Sequence, residues 1–317
     1  MSIIHTIKNI FLIAGMAFLL FGCKNKNDDK EAFMLFDLGL HYDSLKMTKR
    51  AINSYSESIK LDSTIATNYY NRGTDKGEIK DFEDAIKDFN KAISLKPDYA
   101  IAYCNRANAE WVLGKYENAI DDCNKAIQYK CDGSEVYYNR GYAEMSIGKY
   151  KEAIRDMDSA IKRGFTRADL YVIRGTSKMQ IDDYDGAEKD FNKVIEMDST
   201  HADAYCNIGT IQLIRRNYQG AVPYFEKAIK LEPKEAMYYN NIGVAEREIK
   251  NYEDAMLNFN KAIELDSQTP TFYLNRGVLE VRIKKVPEGC NDFKKAIQLG
   301  SKHASDSLKK YCQQCSI

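Results

Sequence analysis

Apolar residues along most of this chain recur at the spacing of one face of a helix. Phe82, Ala85, Ile86, Phe89, Ala92 and Ile93 form one such stripe. The segment before it, from Tyr69 through Gly73 to Ile79, reads as a partner helix. The pair of stripes then returns every 34 residues. Tyrosines stand at Tyr69, Tyr103, Tyr137, Tyr171, Tyr205, Tyr239 and Tyr273, with Leu35 opening the series. Four residues on is a small residue, from Gly39 and Gly73 through Ala107 and Gly141 to Gly277. The second stripe carries alanines from Ala51 to Ala255, then Gly289. After them come Tyr55, Phe89, Cys123, Met157, Phe191, Phe225, Phe259 and Phe293. Small residues let two helix backbones approach, and the rings fill the space beside them. No single helix pair can bury such a face, whereas stacked pairs can.

This uninterrupted register from Ala32 to His303 resembles the tetratricopeptide-repeat family. The resemblance implies an all-α fold: a right-handed α-α superhelical solenoid of eight 34-residue helix pairs over 32–303. The remainder, 304–317, reads as a capping helix and tail. Ala304, Leu308 and Tyr311 keep helical spacing, so the cap is expected over Lys302 to Cys312. Pro97 and Pro233 fall just past second helices, where they stop them, and Pro287 sits at a helix start. Pro223 lies about one turn inside a helix and is expected to bend or weaken it. The first pair is atypical, with Thr48 in place of the second-helix aromatic and Ser58 in place of alanine.

The first residues follow another pattern. Lys8 precedes an apolar run, Ile10 to Phe21, too short for a comfortable membrane span. Leu20-Phe21-Gly22-Cys23 resembles the lipobox of bacterial lipoproteins. That resemblance implies a signal peptide over 1–22, lipidation of Cys23, and a lipid anchor in the bacterial cell envelope. Lys24, rather than aspartate, after the lipidated cysteine points to the outer membrane by the family's sorting habit. An ordinary signal peptide or an anchor helix remains the alternative. Residues 23–31 are polar and read as a solvated tether.

Comparing repeats with one another exposes a covariation. Arg72, Arg106, Arg140, Arg174 and Arg276 precede the small first-helix residue in five repeats. Asp88, Asp122, Asp156, Asp190 and Asp292 precede the second-helix core residue in the same five. Leu38, Ile208 and Ile242 replace the arginine where aspartate is missing. An ion pair within each repeat accounts for this, because arginines near a core seldom go unpaired. Independent surface charges copied by duplication are the alternative.

Asparagine stands just before most of those positions: Asn71, Asn105, Asn139, Asn207, Asn241 and Asn275, with breaks at Asp37 and Ile173. The series resembles the asparagine ladder by which superhelical members of the family grip an extended peptide. A primary amide carries both donor and acceptor and so matches a peptide unit whatever its side chain. In the family the first helix of each pair lines the concave surface, which adds Tyr70, Cys104, Trp111, Tyr138, Met145, Met179 and Leu213 as groove candidates. All of these residues are equally able to serve as inter-repeat contacts, and both readings stay open.

Lysine plus arginine and aspartate plus glutamate are equal at 46 each, which argues against a dedicated nucleic-acid binder. Of 8 cysteines, Cys290 and Cys312 fall where a helix start and the cap's end meet, as a disulfide or as two buried thiols. Cys312-Gln-Gln-Cys315 lacks a redox or zinc context, and His41, His201 and His303 are scattered. No phosphate-binding loop, dinucleotide fingerprint or nucleophile elbow is present, so no cofactor, metal or enzymatic activity is expected. The expectation is a membrane-anchored scaffold holding a peptide segment or partner protein in its groove. A structural role through self-association in the envelope is the alternative, and the oligomeric state stays open.

Overall fold

The computed structural model describes residues 26–312. Those residues form seventeen helices and no strand. They divide into two compact units at Asp132/Gly133. The first unit pairs α1 (Lys26–Ser44) with α2 (Thr48–Leu61), α3 (Ala66–Glu78) with α4 (Phe82–Leu95), and α5 (Ala100–Val112) with α6 (Tyr116–Gln128). The second pairs α7 (Ser134–Ser146) with α8 (Tyr150–Lys162), α9 (Ala168–Gln180) with α10 (Tyr184–Met197), and α11 (Ala202–Ile214) with α12 (Tyr218–Leu231). It continues with α13 (Ala236–Glu248) and α14 (Tyr252–Leu265), then α15 (Pro270–Arg282) and α16 (Val286–Gln298), and ends on α17 (Lys302–Tyr311). Cys23 and the lipobox lie outside the described residues, as does Cys315. Among the described residues no helix is long and apolar enough to cross a membrane.

Within a pair the chain reverses over three residues. The Lys80 N–H reaches Gly77 O at 3.0 Å and the Asp81 N–H reaches Lys76 O at 2.8 Å, satisfying carbonyls that the end of α3 leaves open. This closure needs one left-handed residue. Glycine supplies it at Gly114 and Gly148, but Lys46, Lys80, Asp182, Arg216, Lys250 and Lys284 adopt it as well, at φ between 56° and 68°. A side chain there costs about 1 kcal/mol, which the pair's packing offsets.

The first helix then lies against the second through the small position. A Cβ added at Gly73 would stand 2.9 Å from the Phe89 ring, and one at Gly209 2.7 Å from that of Phe225. Alanine is accepted at Ala107 because its partner is the small Cys123, itself buried. The second helix of one pair packs on the first helix of the next: Phe191 and Val194 meet Ile208 and Ile211, and Phe225 and Ala228 meet Tyr238 and Ile242. In the first pair, Ser58 is fully buried yet satisfied. It donates to Ala32 O at 2.6 Å and accepts from the Asn68 amide at 2.9 Å.

One expectation needs correction. Residues 26–31, read as part of a tether, are the start of α1. A helix already anchored by Ala32 and its neighbours propagates through polar residues at little cost, and Asp28 and Asp29 favour its N-terminal dipole. Pro223 lies inside α12, which runs unbroken from Tyr218 to Leu231, and its ring removes one i→i−4 ladder bond in the second turn.

Candidate functional site

Each of the five arginines lies on a first helix and holds the aspartate 16 residues ahead with two parallel bonds. In the α3–α4 pair, Arg72 Nε reaches Asp88 Oδ2 at 2.8 Å and Nη2 reaches Oδ1 at 2.6 Å. Arg106–Asp122, Arg140–Asp156, Arg174–Asp190 and Arg276–Asp292 repeat the fork at 2.5–2.9 Å. The aspartates are buried and the arginines nearly so, each guanidinium lying 5.4–5.8 Å from the ring of the tyrosine three residues before it. Repeat comparison did not anticipate the third nitrogen. Nη1 reaches back to the preceding pair's second helix: Arg72 to Ser56 at 3.1 Å, Arg174 to Asp158 at 2.6 Å, Arg276 to Asn260 at 2.8 Å. Each such arginine therefore ties two helices of its own pair and one of its neighbour, which makes it architectural.

Four residues after each arginine sits a further charged residue that sequence comparison also missed. In two repeats it is lysine: Lys76 pairs with Asp88 and Lys178 with Asp190, both at 2.8 Å. In three it is glutamate, and Glu110, Glu144 and Glu280 face the same aspartate, carboxyl to carboxyl. Each leaves Oε2 buried without a hydrogen-bond partner. Burial first, then the neighbouring aspartate, pushes all three up from 4.5 to about 7. A fourth carboxyl pair joins Asp75 to Asp43, where burial and then the Asp43 charge lift Asp75 to about 8. The signal was present in the register, since arginine is followed four residues later only by lysine or glutamate.

The asparagine series separates into two kinds. Asn71 donates to Tyr55 Oη at 3.3 Å, and Asn105 to Tyr70 Oη and Thr74 Oγ1 at 3.2 and 3.1 Å. In the second unit, Asn275 donates to Asn240 Oδ1 at 2.8 Å, Asn240 to Asn241 at 3.1 Å, and Asn241 to Cys206 Sγ at 3.6 Å. Asn71 thus ties α3 to the second helix α2, while Asn105, Asn241 and Asn275 each tie a first helix to the first helix before it. Asn139 on α7 and Asn207 on α11 are half-buried and make no hydrogen bond among the described residues. Both donors and the acceptor of each are open. Between them on α9, Ile173 is buried, while Val172, Met179, Met145 and Leu213 are half-buried on the same row of first helices.

The aromatic candidates are mostly committed to packing. Tyr70 lies 5.1 Å from Tyr99 and 6.2 Å from Phe89, ring centre to ring centre. Tyr138 stacks on Phe165 at 4.6 Å and donates to Asp169 at 2.9 Å. Trp111 is half-buried on α5. At the C-terminal end, Cys290 and Cys312 are joined by a disulfide with 5.9 Å between Cα atoms, fastening α17 to α16.

Residues 100–130 and 202–235 match the tetratricopeptide repeat family. Residues 134–163, 168–201 and 236–269 match a further tetratricopeptide repeat model, and 78–111 a TPR repeat model. No curated protein matches the chain. Among solved structures, a tetratricopeptide repeat protein from Parabacteroides merdae is similar at 19% identity and a TM-score of 0.60, covering 77% of this chain and 97% of its own. The C-terminal part of a TPR repeat-containing protein from Cytophaga hutchinsonii follows at 20% and 0.59, covering 75% and 99%. YrrB, described as a TPR protein with an unusual peptide-binding site, is similar at 24% and 0.50, covering 62% and 97%. At these identities the likeness speaks for the fold alone. The repeat matches span more than half of the chain and fall on the same helix pairs that the glycine–aromatic contacts hold together, so this protein belongs to the tetratricopeptide-repeat family.

Proposed function

We propose that this protein is a protein–protein interaction scaffold that holds an extended peptide segment against the first helices of its second unit. The observation that carries the reading is the pair of open amides. Asn139 and Asn207 offer side-chain donor and acceptor capacity that no other described residue uses, whereas every other member of the series is tied to a neighbouring helix. Met145, Val172, Met179 and Leu213 stand on the same row and suit apolar side chains of a peptide. The membership in a family whose members bind peptides and proteins supports the class of activity.

With one bond per amide at about 0.5–1.5 kcal/mol, loss of both changes affinity by roughly five- to 150-fold. Selection from a random peptide library by the purified protein is the test. The Asn139→Ala/Asn207→Ala variant loses the selected peptides while its urea midpoint is unchanged. Retained binding in that variant would move the site elsewhere. Light scattering at high concentration addresses the self-association reading, for which a monomer is the unfavourable result.

Anchoring through Cys23 remains part of the proposal, supported by the lipobox-like Leu20-Phe21-Gly22-Cys23 after an apolar run. Incorporation of a labelled fatty acid that Cys23→Ala abolishes is the expected outcome. Label retained in that variant, or absent from both proteins, removes the anchor and leaves the peptide-binding proposal standing.

A further inference from the structure

In two repeats the register brings the same two positions face to face. One is the residue after the first-helix tyrosine; the other lies 27 residues later, in the turn beyond the second helix. In the α7–α8 pair these are Tyr138 and Phe165, and their rings stack at 4.6 Å. In the α5–α6 pair they are Cys104 and Cys131, with the two sulfurs 2.7 Å apart. The turn that carries Cys131 is fixed by Lys130 at φ 67° and by the Cys131 N–H on Ala126 O at 2.9 Å. The same left-handed closure recurs after α8 at Gly164 and after α16 at Gly300, and after α6 it sets Cys131 against Cys104. Both sulfurs belong to half-buried residues, while the other two thiols of the described chain, Cys123 and Cys206, are buried.

From this geometry we infer that Cys104 and Cys131 are a redox-active thiol pair, forming a second disulfide at the end of the first unit when a disulfide oxidant is supplied. The second unit is already closed at its end by Cys290–Cys312. The order of events follows from the surroundings. Burial, and then the adjacent Cys131, hold the Cys104 thiol in its protonated form, so Cys131 is the attacking sulfur. Its thiolate attacks one sulfur of a small-molecule disulfide such as oxidised glutathione. The S–S bond of the oxidant breaks, one glutathione leaves as thiolate and takes a proton, and Cys131 carries the other. Cys104 then gives its proton to water and attacks Cys131, releasing the second glutathione. Two protein thiols are oxidised to one disulfide, and one glutathione disulfide is reduced to two thiols.

The experiment equilibrates the full-length protein in detergent with glutathione buffers of increasing oxidised fraction, quenches with an alkylating agent and maps the peptides by mass spectrometry. Alkylation of Cys104 and Cys131 falls together at least tenfold across the series as their linked peptide appears, while Cys123 and Cys206 stay alkylatable after unfolding. Cys104→Ser traps Cys131 as the glutathione mixed disulfide. Cys131→Ser leaves Cys104 modified at least tenfold more slowly. Cys104 and Cys131 both remaining alkylatable in the most oxidising buffer would overturn the assignment. So would linkage of either to Cys123 or Cys206 in preference to each other.

Discussion

Three glutamates set against buried aspartates give the fold a pH dependence that can be worked from the structure. Glu144 is 8% exposed, faces Asp156 across the α7–α8 pair, and is pushed up from 4.5 to about 7. In the unfolded chain it ionises near 4.5, so between pH 4.5 and 7 the folded state holds the extra proton. Stability therefore falls as pH rises through that window, and the loss is complete above pH 7. At 1.36 kcal/mol per pH unit the full displacement corresponds to about 3 kcal/mol. Solvent screening of this incompletely enclosed carboxyl reduces it to about 1–2 kcal/mol. Glutamine at this position cannot ionise and can still donate to Asp156. Glu144→Gln is expected to match the wild type at pH 5 and to exceed it by about 1–2 kcal/mol at pH 8, read as the urea midpoint at constant slope. Glu144→Lys copies the arrangement of Lys178 with Asp190, and its advantage at pH 8 should be at least as large. A Glu144→Gln variant that is destabilised equally at pH 5 and pH 8 would refute the reasoning, because the carboxyl would then be stabilising through a contact insensitive to its charge.

Further outcomes follow from the same contacts. A double-mutant cycle on Arg140 and Asp156 should give single losses of about 3–5 kcal/mol that are far from additive, and additive losses would dissolve the proposed coupling. Lys250→Gly should raise stability by about 0.5–1 kcal/mol, since the residue sits at φ 68°; a loss in the thermal or urea midpoint would show that the turn is not strained. Cys290→Ser removes the 22-residue closure that holds the cap. By loop entropy it should cost about 3 kcal/mol, seen first as faster hydrogen exchange in α17.

Much of the fold was legible because the repeat register is rigid. Tyrosine, glycine, alanine and phenylalanine positions each map to one packing role, so the eight pairs and their turns follow from spacing. The Arg–Asp forks were legible for a different reason: five repeats carry both partners and three carry neither. What spacing did not reveal was the third partner of each group. Lys76 and Glu110 occupy equivalent positions with opposite charge, and only their shared approach to the aspartate explains the alternation. The asparagine series left two readings open, because a primary amide serves an inter-helix bond as readily as a ligand, and only side-chain geometry shows that Asn71, Asn105, Asn241 and Asn275 bond neighbouring helices. The start of α1 was hidden because a helix extended from an anchored core needs no apolar periodicity of its own.

The central claim is that partners are held on the first-helix row of the second unit. Site-specific photo-crosslinking tests it most directly, with a photoreactive amino acid placed in turn at Asn139, Asn207 and Leu257, the last an exposed second-helix position. The account predicts adducts with another protein from Asn139 and Asn207, and none from Leu257. Adducts formed only from Leu257, or only with a second copy of this chain, would contradict it.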